Sequence, residues 1–182
     1  MSAVRLTLVS HGATAALRAA RFPLDEPLEA RALDAARASN LRPPDHALSD
    51  SSARCRQTAA ALGLDAAVDD RLTDLDTGRW RGLGLDEVDP AELAVWTTDP
   101  AAAPHGGETV LALVERVRGW LAELPAGRTA AVTHPAVVRA GLVAALAADP
   151  ASFWRIDVPP LCSTSLHGRG GRWTLRHVNR PL

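Results

Sequence analysis

Two histidines in this chain share one local setting. His11 follows the apolar run Val4–Val9 and precedes a glycine and a helix-compatible stretch; His134 follows the apolar run Thr129–Thr133 and precedes Pro135, a favoured first helical residue. In open α/β sheets ligands bind beyond the carboxyl ends of the strands, where the next helix presents free N–H groups and a positive dipole end. Arg54 falls in the first turn of a helix read over Ser52–Leu62, and Asp74 in the loop Leu72–Gly82. Two imidazoles, a guanidinium and a carboxylate at strand ends suit phosphoryl transfer: a nucleophile or base, donors for phosphoryl oxygens, and an acid. Each alone has an ordinary structural explanation as a satisfied histidine, a surface ion pair or a turn cap. Spacing by itself leaves the functional and structural readings balanced.

The elements that must carry these residues alternate along the chain. Strands are expected at Val4–Val9, Asp45–Ser49, Asp65–Asp69 and Thr129–Thr133, with a terminal hairpin of Leu161–His167 and Arg172–Val178. Helices are expected at Ala13–Arg21, Leu28–Ser39, Ser52–Leu62 with Ser51 or Ser52 as N-cap, and from Pro135 onward. Leu85–Trp96 is a weaker helix interrupted by Asp89-Pro90. The clearest helix is Glu108–Leu124, whose Val110, Leu113, Val114, Val117, Trp120, Leu121 and Leu124 form one apolar stripe. This alternation predicts an α/β fold of three layers, a mainly parallel central sheet flanked by helices, as a single domain over residues 1–182.

Composition narrows the partners. The 182 residues carry a formal net charge of −1, so no global field favours nucleic acid or an anionic membrane, and an anionic ligand must be held by a local cluster. All 20 basic residues are arginine, which excludes a pyridoxal Schiff base and a P-loop lysine. Cys55 and Cys162 have no metal spacing and read as buried thiols. No apolar run reaches the roughly 20 residues of a membrane span. Val4–Val9 is broken by Arg5 and Thr7, so no signal peptide is read and a cytoplasmic location is expected.

Five segments, in order, resemble the histidine phosphatase superfamily, the phosphoglycerate mutase-like proteins. Leu6–Thr14, containing Ser10-His11-Gly12-Ala13-Thr14, is similar to that family's Arg-His-Gly-x-Thr opening; Arg54-Cys55-Arg56-Gln57-Thr58-Ala59 resembles its Arg-Ala-x-Gln-Thr-Ala helix. Leu72–Gly82 resembles the Leu-x-Glu-x-x-x-Gly-x-Trp-x-Gly loop, Gly106-Gly107-Glu108-Thr109 a Gly-Gly-Glu-Ser element, and Val132-Thr133-His134 with Arg139 the second histidine segment. The resemblance implies a phosphomonoester hydrolase that forms a phosphohistidine on His11, whose other ring nitrogen needs an acceptor such as a backbone carbonyl. It implies phosphoryl donors in Arg54 and His134, an acid in Asp74 with Asp76 as the fallback, and Ser10, Gly12 and Thr14 beside a small phosphorylated substrate or phosphate. No metal and no cofactor are implied; a zinc site on His11, His134 and Asp74 is disfavoured by the neighbouring arginine.

Two positions depart from the pattern. Ser10 stands where the motif has arginine, removing a planar charged fork, a loss on the order of 10²–10³ in rate by analogy with an oxyanion-hole donor. Arg18, Arg21 and Arg79 are the candidates to replace it. Asp74 stands in the place of glutamate, one methylene shorter. The pattern suits a specialised phosphatase, and alternatively a catalytically weak domain that binds phosphorylated ligands. Only 23 residues separate Gly82 from Gly106, which favours a hydrolase over a mutase-type phosphotransferase with larger insertions. Trp96 and His105 lie in this lid region, as substrate contacts or as a packed Trp and an exposed loop His. His167-Gly168 repeats the His-Gly pair at a hairpin turn and is read as coincidence.

Overall fold

A computed structural model of the protein describes residues 3–182 and arranges them around one six-stranded sheet of order β3-β2-β4-β1-β5-β6. The strands are β1 (Val4–Ser10), β2 (His46–Ser49), β3 (Ala67–Val68), β4 (Gly127–Thr133), β5 (Cys162–Arg169) and β6 (Arg172–Pro181). The first four pair in parallel, and the β5–β6 hairpin is added antiparallel to β1. In the β1–β4 ladder Leu8 lies opposite Ala131 and Ser10 opposite Thr133. That register delivers His11 and His134 side by side at the carboxyl edge.

The helices are α1 (Ala15–Arg18), α2 (Ala30–Ala38), α3 (Ala53–Ala61), α4 (Pro90–Thr98), α5 (Val110–Ala122) and α6 (Pro135–Leu146). Strand alternation separates the two faces of β1. Leu6 and Leu8 enter the main core with Val110, Leu113, Val117 and Trp120 of α5 and Val137 and Val138 of α6. Val9 joins Val132 against Cys55 and Ala59 of α3. Both cysteines are buried and free. No helix among the described residues is long and apolar enough to cross a membrane.

Three local expectations change. The helix expected over Ala13–Arg21 is only the four residues of α1, because the chain turns back at Ala20, which has positive φ, and pairs Phe22 with Leu83. Pro90 does not interrupt a helix but begins one: a 3-10 turn covers Leu85–Glu87, and Asp89 caps α4 by accepting from the Ala91 N–H. Ser52 occupies the N-cap of α3 without a capping bond, while Asp25 accepts from the Ala53 N–H at 2.7 Å and Asp50 from the Ser52 N–H at 3.0 Å.

Candidate active site

His11 leaves β1 with its N–H bonded to the Thr133 carbonyl at 2.9 Å, so the parallel ladder itself sets the ring's starting point. The Gly12 carbonyl oxygen lies 2.7 Å from His11 Nδ1. A carbonyl only accepts, so Nδ1 carries the proton and Nε2 keeps its lone pair. Burial first, and then the positive charge of His134, lower the His11 pKa to about 4. The ring is neutral at pH 7. Gly12 also donates its N–H to Thr58 Oγ1 of α3 at 3.0 Å, and a Cβ there would press to 3.1 Å from Ala32 and 3.2 Å from Leu28. Thr14 caps α1 and donates to Glu26, so its hydroxyl is already engaged.

His134 has the opposite environment. Its ring lies with its centroid 5.3 Å from that of His11 and is fully buried. Nε2 donates to Asp50 Oδ2 at 2.8 Å, and Nδ1 lies 3.4 Å from Asp74 Oδ2. Burial opposes the charge, but the Asp74 carboxylate, then the Cys55 sulfur 3.5 Å from Nε2 and the Asp50 carboxylate, prevail and raise its pKa to about 10. As an imidazolium both ring nitrogens donate. The 3.3 Å approach of Arg54 Nε to Nδ1 is then a meeting of two donors that share the Asp74 carboxylate. Burial works against the Asp50 charge as well, but His134 and Ser52 outweigh it and hold the carboxyl well below the usual carboxylate range.

Arg54, in the first turn of α3, is buried and held on two sides: NH1 donates to the Leu24 carbonyl at 2.6 Å and NH2 to Asp74 Oδ2 at 3.1 Å. Burial pushes the Asp74 carboxyl up, yet the charges of His134 and Arg54 bring it below the ordinary value. Asp74 is therefore ionised, the one anion facing two cations. It also lies on the partition between two cavities. One, of about 290 Å³, is lined by Asp50, Arg54 and His134; the other, of about 180 Å³, by His11, Phe22, Trp96, Arg139 and Trp154.

The four residues that spacing nominated, His11, Arg54, Asp74 and His134, thus converge. Asp76 does not: it is half exposed, pairs with Arg81 and caps the Gly78 N–H. Ser10 requires a correction as a substrate contact. It is fully buried, donates to the Pro159 carbonyl at 2.6 Å and accepts from the Cys162 N–H at 3.1 Å, so its hydroxyl serves the entry to β5. Arg18 pairs with Glu29, Arg79 with Glu92, and Arg21 with Glu87, although Arg21 still borders the His11 cavity. His105 is not an exposed loop residue: it is buried against Trp80 and Trp96. His167 sits exposed on β5, away from the site.

Two residues of the site carry no assigned role in the sequence. Asp50 has no signal in the sequence, because its partner His134 is 84 positions away. Arg139 is signalled only by its spacing from His134. On α6 its Nε donates to the Ile156 carbonyl at 2.7 Å, and its guanidinium stands 5.8 and 5.7 Å from the Phe153 and Trp154 ring centroids. Among the described residues it forms no ion pair. Asp50, Cys55 and His134 also bring one potential ligand atom each within 4.8 Å, but the proton between Nε2 and Asp50 already fills that space and Arg54 adjoins it.

Known proteins share both sequence and fold with this chain. Residues 6–181 match the model of the histidine phosphatase superfamily, branch 1. A glucosyl-3-phosphoglycerate phosphatase of Mycobacterium tuberculosis is 33% identical over 168 residues, covering 81% of this chain and 75% of the relative. Phosphoserine phosphatase 1 of Hydrogenobacter thermophilus is 29% identical over 131 residues, 68% of this chain and 62% of its own. The native structure of the mycobacterial glucosyl-3-phosphoglycerate phosphatase superposes with a TM-score of 0.87 at 28% identity, over 98% of this chain and 99% of that one, and the same enzyme is known in complex with inorganic phosphate. With the matched span running from β1 through β6, and relatives agreeing in sequence as well as fold, the chain belongs to the histidine phosphatase superfamily.

Proposed function

We propose that the protein hydrolyses phosphomonoesters of a small metabolite through a phosphohistidine on His11, without a metal. The neutral His11 ring, its Nδ1 proton held by the Gly12 carbonyl, is the observation that carries this reading. Nε2 attacks phosphorus as the ester P–O bond breaks, and Asp74 gives its proton to the leaving alkoxide. Asp74 then takes a proton from water, which attacks phosphorus, breaks the P–N bond and restores His11. Arg54 and His134 donate to the phosphoryl oxygens throughout.

The charge balance explains how an ionised Asp74 becomes the acid. Asp74 pairs with Arg54 and His134, the same two donors that a phosphoryl group requires. A phosphoryl group arriving with its own negative charge takes over those donors and raises the Asp74 pKa, so a monoanionic ester delivers the proton the carboxylate needs. Asp50 keeps His134 cationic while this exchange occurs. Arg139, in the His11 cavity, adds the third positive charge that leaves the loaded site neutral.

The leaving group occupies the cavity walled by Leu17, Phe22, Trp96 and Trp154. Its apolar lining suits an alcohol with substantial hydrocarbon surface. The position of Ser10 favours a second reading, a phospho-ligand binder with slow turnover, since a buried serine engaged by backbone gives no charge to the phosphate. Quenching the enzyme during turnover of a phosphoryl-labelled aryl phosphate distinguishes them. Hydrolysis predicts an acid-labile, base-stable label on the His11 peptide and a rate that falls roughly 10⁴-fold or more in His11→Ala. Saturable phosphate binding with no label would select the binding domain, and label passed to an added alcohol rather than water would select a phosphotransferase.

A further inference from the structure

A large polar cavity lies away from the His11 site. It measures about 560 Å³ and sits toward the amino-terminal ends of β1 and β4, on the sheet face shared by Thr7 and Ala130. Thr7 and His11 are four residues apart on one extended strand, about 13 Å at 3.3 Å per residue. Thr7 of β1 and Ser163 of β5 put hydroxyls on this face, and Ser163 Oγ donates to the Arg180 carbonyl at 3.2 Å. Ser165, opposite Thr7 in the β1–β5 ladder, is buried and lines the cavity as well.

Four arginines mark the rim. Arg5, Arg42, Arg128 and Arg180 line the cavity, and no aspartate or glutamate side chain does. Arg5, Arg42 and Arg180 form no ion pair among the described residues; Arg128 reaches back to Asp45, and its Nε is buried without a partner. The chain as a whole is balanced, with 20 basic and 21 acidic residues, so this local excess is not a reflection of composition. His167 and His177, which also line the cavity, are both pushed below the ordinary imidazole value, chiefly by burial, with Arg5 and Arg180 of the rim adding to it.

From the guanidinium rim and the hydroxyls that Thr7 and Ser165 add beneath it, we infer that this cavity is a second binding site, separate from the catalytic one, for a small molecule carrying two or more phosphate groups. Guanidinium forks match phosphate oxygens, hydroxyls supply the remaining donors, and a volume within the usual range for ligand pockets admits a polyphosphate chain with room for a nucleoside. The inference does not depend on the catalytic reading, since none of its residues belongs to the His11 site.

The test is a calorimetric titration of inorganic tripolyphosphate into the full chain with orthovanadate already filling the catalytic site. The expected result is one further saturable site that weakens steeply between about 50 and 300 mM salt. The double variant Arg5→Gln/Arg180→Gln, both exposed positions, should weaken it at least tenfold while aryl phosphate turnover and Tm stay unchanged. Thr7→Val, which keeps the side-chain shape, should weaken it severalfold. ATP run in parallel separates the sources: equal affinity identifies the polyphosphate chain as what is read, and tenfold tighter binding identifies a nucleotide. No saturable binding beyond vanadate, binding insensitive to both variants, or binding seen only with duplex DNA would overturn the proposal.

Discussion

Replacing Asp50 with asparagine tests the claim that His134 is a fixed cation. The amide keeps an acceptor near Nε2, which lies 2.8 Å from the present carboxylate, but removes its charge. At an effective dielectric of about 20, a unit charge roughly 4 Å away is worth about 4 kcal/mol. At about 1.36 kcal/mol per pKa unit, that is about 3 units. The His134 pKa, now about 10, should then fall to about 7. A raised imidazole pKa means that the charged form, and the donor at Nδ1, persist until pH rises through that value. The kcat/KM of the wild type on p-nitrophenyl phosphate should therefore show no loss from this group up to about pH 9. Asp50→Asn should retain most activity at about pH 6 and lose about 30-fold by about pH 8.5, the protonated fraction left by a pKa near 7. A variant profile parallel to the wild type across that range would refute the assignment, as would a uniform loss at every pH.

Other perturbations probe other links. Ser10→Arg, which would put a guanidinium beside His11, should not raise activity: the site is fully buried and its hydroxyl is bonded to Pro159 and Cys162, so soluble yield or Tm should drop sharply, and a well-folded, faster enzyme would contradict this. Gly78→Ala should cost about 3 kcal/mol or more in urea unfolding, since position 78 has φ +47° and an added Cβ would collide with the His105 carbonyl. His11 is buried neutral with a pKa of about 4 against 6.5 unfolded, so its contribution to stability is present above pH 6.5 and is lost as pH falls toward 4. Between about pH 7 and pH 5 that amounts to about 2 kcal/mol, so His11→Asn should show a correspondingly shallower acid loss of stability than the wild type.

What the sequence discloses follows the range of the interactions involved. The strand–His–helix units are legible because hydrophobic runs and a first-turn proline act locally, and the sheet then brings their ends together by register. The α5 stripe is legible for the same reason: all of Val110, Leu113, Val114, Val117, Trp120 and Leu121 are buried on one face. Pro90 misleads because a proline that breaks one helix and a proline that starts the next look alike until the Asp89 cap is seen. Asp50 escapes for a different reason. A carboxylate after a strand has a satisfactory local role, which it also fills by accepting from Ser52, and only the fold brings His134 to its other side. The glycines of the 78 and 106–107 segments are legible as motif but not as mechanism. They let the Asp74 loop lie flat against the segment before α5, where Arg79 bonds His105 and Glu108 bonds Asp76 through the backbone.

The two histidines show why residue type and position alone cannot assign roles. Both are imidazoles at the end of a parallel strand, both are buried, and burial drives both toward the neutral form. What separates them is one carbonyl against two carboxylates. A carbonyl satisfies the Nδ1 proton of His11 without contributing a full charge, so burial prevails and Nε2 keeps a lone pair. Two carboxylates overcome burial at His134 and turn the same ring into a donor at both nitrogens. Each state also supports the other, since the positive His134 further lowers the pKa of His11. The division between a neutral and a cationic ring is thus set by the groups around His134, Asp74 first and then Cys55 and Asp50. Neutralising either carboxylate should move both imidazoles toward similar pKa values and so erase the distinction that the proposed phosphoryl transfer requires.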